Sequence, residues 1–91
     1  MKAYILIQTE PGSARTLAHL VGGIAGVRRV ERVVGPYDLI AEADAGQLRD
    51  LVLRIQELGG VLRALASLVL ARTEPGGLVT LDEPKVGATG A

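Results

Sequence analysis

A chain of 91 residues with ten basic and ten acidic side chains has no net charge and a pI near 6.6, so no global field draws in phosphates, which argues against nucleic acid as a direct partner. It is 48% hydrophobic with a mean hydropathy of +0.33, yet contains no Phe, Trp or Cys. Bases therefore find almost no aromatic platform to stack on, and disulfides, redox thiols and thiolate metal sites are excluded. One domain that buries roughly 60–65% of its unfolded surface fits this length, and the surplus of aliphatic side chains points to burial against other subunits.

The opening MKAYILIQTEPG has an apolar run of only five residues before Gln8. That is too short for a signal sequence, and no stretch reaches membrane-spanning length, so the sequence predicts an intracellular, cytoplasmic chain without membrane contact. Ala3 to Thr9 reads as a strand stopped by Pro11-Gly12. Ala3, Ile5 and Ile7 share one face and Tyr4 and Leu6 the other, so both faces are apolar, as in a central strand. From Ser13, the positions Ala14, Leu17, Ala18, Val21 and Ile24 recur at helical spacing, with Gly12 or Ser13 as cap and a stop near Gly22-Gly23 or Gly26. Val27 to Val34 then mixes valines with Arg28, Arg29, Glu31 and Arg32, the pattern of an exposed edge strand protected by charge.

Val33 to Ala45, VVGPYDLIAEADA, reads as strand, tight turn, strand, with the second strand over Tyr37 to Ala43. Asp44-Ala45-Gly46-Gln47 has the form of a capping box, Asp44 as N-cap and Gln47 reaching back. A second helix follows on the stripe Leu48, Leu51, Val52, Ile55 and Leu58, closed by Gly59-Gly60. Val61 to Leu70 is rich in Leu and Ala. The stops on either side, Gly59-Gly60 and Pro75-Gly76-Gly77, leave too little length for another capped helix and favour a strand.

The order is thus β-α-β-β-α-β, an α+β, ferredoxin-like plan with two helices on one face of a four-stranded antiparallel sheet. The domain is expected over residues 1–74. A tail over 75–91 carries a short strand at 78–81 and then PKVGATGA, whose composition reads as disordered. The sheet face with Tyr4 and Leu6 is too apolar for water, so a second subunit is expected against it. Thr-Glu-Pro-Gly occurs at 9–12 and again at 73–76, as a reused strand terminator.

Three segments, AYILIQTEPGSAR, GIAGVRRVERVVGPYDLIAEADA and LRDLVLRIQELGGVLRAL, resemble the effector-binding (RAM) domain of the Lrp/AsnC, or feast/famine, transcriptional regulators. The likeness spans about residues 1–71, and its most specific element is the Gly-x-Tyr-Asp hairpin at Gly35 to Asp38. The resemblance implies sheet-to-sheet homodimers, commonly assembled into octamers, that bind a small amino acid effector between dimers near this hairpin. Met1 sits directly at the first strand, so the chain looks like a stand-alone form without the family's helix-turn-helix, and full-length relatives are candidate partners.

Such a ligand is a zwitterion. In the family reading Gly35 lets backbone approach, Pro36 fixes the turn, Tyr37 gives a flat wall with a polar tip and Asp38 holds the ammonium. On spacing alone the tetrapeptide reads first as a type I or II turn whose Asp38 caps backbone N–H groups, and the resemblance is what favours ligand contact. One departure stands out: family members commonly carry threonines after the Gly-Val that opens the last strand, whereas here Gly60-Val61 is followed by Leu62, Arg63, Ala64, Leu65 and Ala66.

No catalytic residue, metal site or cofactor is expected. The lone His19 sits beside the stripe of the first helix as a surface residue, and one imidazole without Cys cannot furnish a triad or a ligand set. The glycine pairs lack the context of a phosphate loop. The alternatives to an amino-acid sensor are a purely structural oligomerisation module, which the missing threonines favour, and a small dimeric ferredoxin-like enzyme, which the near absence of aromatic, His and Asn side chains disfavours.

Overall fold

Alternation in the first strand decides where the core lies. Ala3, Ile5 and Ile7 are fully buried on one face of β1 (Lys2–Thr9), while Tyr4, Leu6 and Gln8 are half-buried on the other. The computed structural model describes residues 1–75; the strand expected at 78–81 lies outside the described residues. After β1 come α1 (Ala14–Gly22), β2 (Val27–Arg32), β3 (Leu39–Asp44), a short 3-10 turn (Ala45–Gln47), α2 (Leu48–Gln56) and β4 (Val61–Leu68). The strands form one antiparallel sheet in the order β2-β3-β1-β4. This is the ferredoxin-like plan expected from the sequence.

Both helices are nine residues long, too short to persist alone in water, so packing holds them. Each buries one i,i+4 pair, Leu17 with Val21 in α1 and Leu51 with Ile55 in α2. α1 lies over β2 and β3, and α2 over β4. Together with Ile5, Ile7, Leu39, Ala41 and Ala43 they make one aliphatic core, in which each fully buried large side chain contributes about 1.5–3 kcal/mol. Two glycines permit the close approaches this requires. At Gly26 (φ +98°) a Cβ would stand 2.7 Å from Gln47 Oε1, and at Gly60 (φ +96°) it would stand 3.2 Å from Leu17 Cδ1.

Two local expectations are corrected. The β2–β3 connection is not a tight turn: β2 ends at Arg32 and β3 starts at Leu39, and the loop is closed by Val33 N–H donating to Asp38 O at 2.9 Å. Val34 is fully exposed, so no core pulls the valine run into a longer strand. At the start of the second helical segment, Asp44 does cap, its Oδ1 accepting from Gly46 N–H at 3.3 Å. Gln47 does not reach back to complete the box; its Oε1 lies over Gly26, and the 3-10 turn precedes α2.

The face of the sheet away from the helices is a layered surface. Register places Glu31, Ile40, Leu6 and Leu65 side by side across all four strands, with Arg29, Glu42, Tyr4 and Ser67 in the next row. Ile40, Leu6 and Leu65 therefore form a continuous apolar stripe. Arg29 pairs with Glu42 at 3.6 Å, and Lys2 Nζ sits 5.4 Å from the Tyr4 ring centroid.

Candidate functional site

The four residues singled out by the sequence lie in the loop between β2 and β3. Gly35 and Pro36 are exposed at its tip, and Tyr37 and Asp38 are half-buried where it rejoins the sheet. Gly35 has φ +155°, which L side chains rarely adopt, with open space where a Cβ would be. A partner molecule can thus approach the backbone there without meeting a side chain.

Asp38 is the anchor of the loop. Its backbone N–H donates to Ile7 O at 2.9 Å, its carbonyl accepts from Val33 N–H at 2.9 Å, and its side-chain Oδ2 accepts from Thr9 N–H at 2.8 Å. The reason for the last bond is local. Alternation along β1 turns the Thr9 N–H toward β3, the side on which Ile7 O accepts from Asp38 N–H, and the β1–β3 ladder ends at Ile7 opposite Leu39, so no strand carbonyl reaches it. Thr9 is buried, so its N–H needs an acceptor, and the carboxylate supplies one. The capping role read from spacing alone is therefore real. Among the described residues the second carboxylate oxygen, Oδ1, and the Tyr37 hydroxyl have no hydrogen-bond partner.

Other elements converge on the same end of the sheet. Glu10 N–H donates to Gly60 O at 2.8 Å, joining the end of β1 to the start of β4. Gln8 and Arg63 lie opposite one another on the helix-free face. A hollow of about 360 Å³ lined by Gln56, Val61, Leu62, Arg63, Ala64 and Leu65 runs along β4. Its wall is aliphatic apart from one amide and one guanidinium, and none of these side chains carries a hydroxyl. Thr9 was not legible as the partner of Asp38, because strand register leaves no mark in composition or spacing.

The opposite end holds a second polar cluster, built on Asp44. Its carboxylate accepts from Gly46 N–H, lies 4.0 Å from the Met1 ammonium and pairs with Arg28 at 3.2 Å. The Gly46 bond first, then the ammonium and the guanidinium, hold Asp44 below the usual aspartate range. All of these groups are exposed, and every one is accounted for by the others. His19 is exposed on α1. Among the described residues no three His, Cys, Asp or Glu side chains gather as a metal site, and no helix is long and apolar enough to cross a membrane.

Solved structures share this fold. TTHA0845 from Thermus thermophilus is 30% identical, with a TM-score of 0.72 over 80% of this chain and 96% of that one. The domain is Lrp/AsnC-like, with the RAM-type fold. Two regulators share the fold at lower identity. The transcriptional regulator NMB0573 of Neisseria meningitidis, solved as a complex with L-Met, is 24% identical with a TM-score of 0.67 over 80% of this chain and 51% of that one. The feast or famine regulatory protein Rv3291c of M. tuberculosis, complexed with L-methionine, is 21% identical with a TM-score of 0.57 over 80% of this chain and 52% of that one. The chain thus spans about half the length of these regulators and nearly all of TTHA0845. No family model and no curated protein matches the chain.

Proposed function

We propose that this Lrp/AsnC-like chain is a non-enzymatic, cytoplasmic effector-sensing module that binds a small amino acid between subunits, at the loop Gly35, Pro36, Tyr37 and Asp38. The observation that carries this reading is the division of labour within Asp38. One oxygen is committed to Thr9 N–H, which fixes the carboxylate in place, while the other faces no partner among the described residues. A positioned anion beside an aromatic wall suits an ammonium group. Two family regulators that hold L-methionine support the ligand class. The apolar stripe Ile40, Leu6 and Leu65 supports the assembly: a homodimer that packs sheet on sheet and associates further, up to an octamer, would bring loops of neighbouring dimers together. Full-length relatives that share the domain are its candidate partners.

The test is a thermal-shift and calorimetric screen against the twenty amino acids. A binder at a hundredfold its Kd stabilises the chain by about 2.7 kcal/mol. Asp38→Asn keeps an oxygen for Thr9 N–H but removes the charge, so it is expected to abolish the shift while leaving the fold and the assembly intact. A full shift in that variant refutes the site.

A second reading has its own support. The aliphatic wall Leu62 to Ala66 lacks the hydroxyls that would complete a polar site, which fits a structural oligomerisation module. Stable oligomers with no response to any amino acid would establish it instead.

A further inference from the structure

The helix-free face of the sheet carries two charges that nothing on that face answers. Arg29 is paired with Glu42 at 3.6 Å. Glu31 on β2 and Arg63 on β4 are both exposed, and neither has an ion-pair partner among the described residues. Register puts both on this face, Glu31 opposite Ile40 and Arg63 opposite Gln8, two residues along β1 from Leu6. They stand on the two edge strands, three strand spacings or about 14 Å apart. The apolar stripe Ile40, Leu6 and Leu65 lies between Glu31 and the β4 edge, so within one chain the two charges do not pair.

Two-fold symmetry leaves two ways to lay this face on a copy of itself. With the axis running across the strands, β2 stacks on β2. When that axis passes through the stripe, Glu31 meets Glu31 of the second copy, and Arg63 falls against Ser67, which carries no charge. With the axis running along the strands, β2 stacks on β4 and β3 on β1. Ile40 then meets Leu6 of the second copy, which closes the aliphatic centre. Glu31 comes over Leu65 of the second copy, and Arg63 lies two residues further along β4, an offset of about 7 Å that an arginine stem spans. The pair forms twice, once on either side of the axis. At such a rim opposite charges add little affinity, but like charges in the same place penalise the wrong arrangement, so they select orientation.

We propose, resting on the sheet-on-sheet dimer described under the function above, that a second copy of this chain docks with its β4 over β2, its orientation fixed by Glu31 of each copy pairing with Arg63 of the other.

Charge exchange on the full chain tests this, with dimer dissociation constants read by sedimentation equilibrium. Glu31→Lys alone and Arg63→Glu alone each create two like-charge contacts per dimer and should weaken dimerisation about tenfold or more, with native circular dichroism. The double variant Glu31→Lys/Arg63→Glu restores opposite signs and should dimerise within about threefold of the unmodified chain. A dimer indifferent to Arg63→Glu, or a double variant no tighter than the single ones, overturns the pairing while the sheet-on-sheet dimer stands. An unmodified chain that runs as a monomer overturns the dimer itself, and the pairing with it.

Discussion

Thr9 donates its backbone N–H to Asp38 Oδ2 at 2.8 Å, a bond that ties the β2–β3 loop to the end of a strand 29 residues earlier. Thr9 is buried and lies past the last β1–β3 pair, Ile7 with Leu39, so no strand neighbour replaces the carboxylate. Asp38→Ala should therefore destabilise the chain by about 1–3 kcal/mol, the cost of an orphaned buried donor. Asp38→Asn, which retains an acceptor oxygen, should cost less. Urea denaturation of the two variants measures the difference, and equal losses would mean that the charge rather than the acceptor is what Thr9 requires.

The glycine pair that closes the second helix holds one tolerant and one intolerant position. Gly60 has φ +96° and a Cβ there would meet Leu17 Cδ1 at 3.2 Å and Ser13 Cβ at 3.4 Å, while a Cβ at Gly59 meets nothing within 4 Å. Gly60→Ala should cost about 1–3 kcal/mol through the left-handed backbone and the contact with the core. Gly59→Ala should stay within about 0.5 kcal/mol of the unmodified chain. Thermal unfolding of both variants makes the comparison.

The Asp44 cluster gives the fold a dependence on acid. With its folded value held below the ordinary one by Gly46 N–H, the Met1 ammonium and Arg28, the carboxylate contributes stability above its unfolded value, and that contribution is lost as pH falls through the folded value. Asp44→Asn should thus be less stable than the unmodified chain at neutral pH, and the two should converge in acid, below both values. The partners are exposed, so added salt should narrow the gap. Denaturation curves across pH, at low and high salt, check both signs.

What could be read from the sequence was whatever leaves a period or a stop. The pairs Leu17 with Val21 and Leu51 with Ile55 follow from helical spacing, and β4 follows from the glycines and the proline that bound it. The loop was misjudged because Val33 and Val34 have the composition of a strand, and only the missing neighbour on either side of Val34 keeps it out of one. In the candidate site, Gly35 to Asp38 could be singled out by residue type. Their bond to Thr9 could not, because it depends on where β3 begins beside β1, which leaves the Thr9 N–H beyond the last paired residue. The displacement of Gln47 toward Gly26 is of the same kind: the bare backbone of a distant glycine competes with the local cap.

The two faces of β1 separate folding from assembly, which makes the proposed dimer testable by neighbouring substitutions. Ile5 is fully buried beneath the helices, and Ile5→Ala should cost about 2–5 kcal/mol whatever the assembly state. Leu6 stands between Ile40 and Leu65 on the opposite face, half-exposed in the single chain. Leu6→Lys places an ammonium in the centre of that stripe, where it costs a lone chain little because water reaches it, but a sheet-on-sheet dimer would have to desolvate it without a partner. In sedimentation the unmodified chain should therefore run as a dimer or a multiple of one, and Leu6→Lys as a folded monomer with native circular dichroism. If Leu6→Lys leaves the mass unchanged, the stripe is not the contact surface, and the crevice between subunits that the effector would occupy loses its basis.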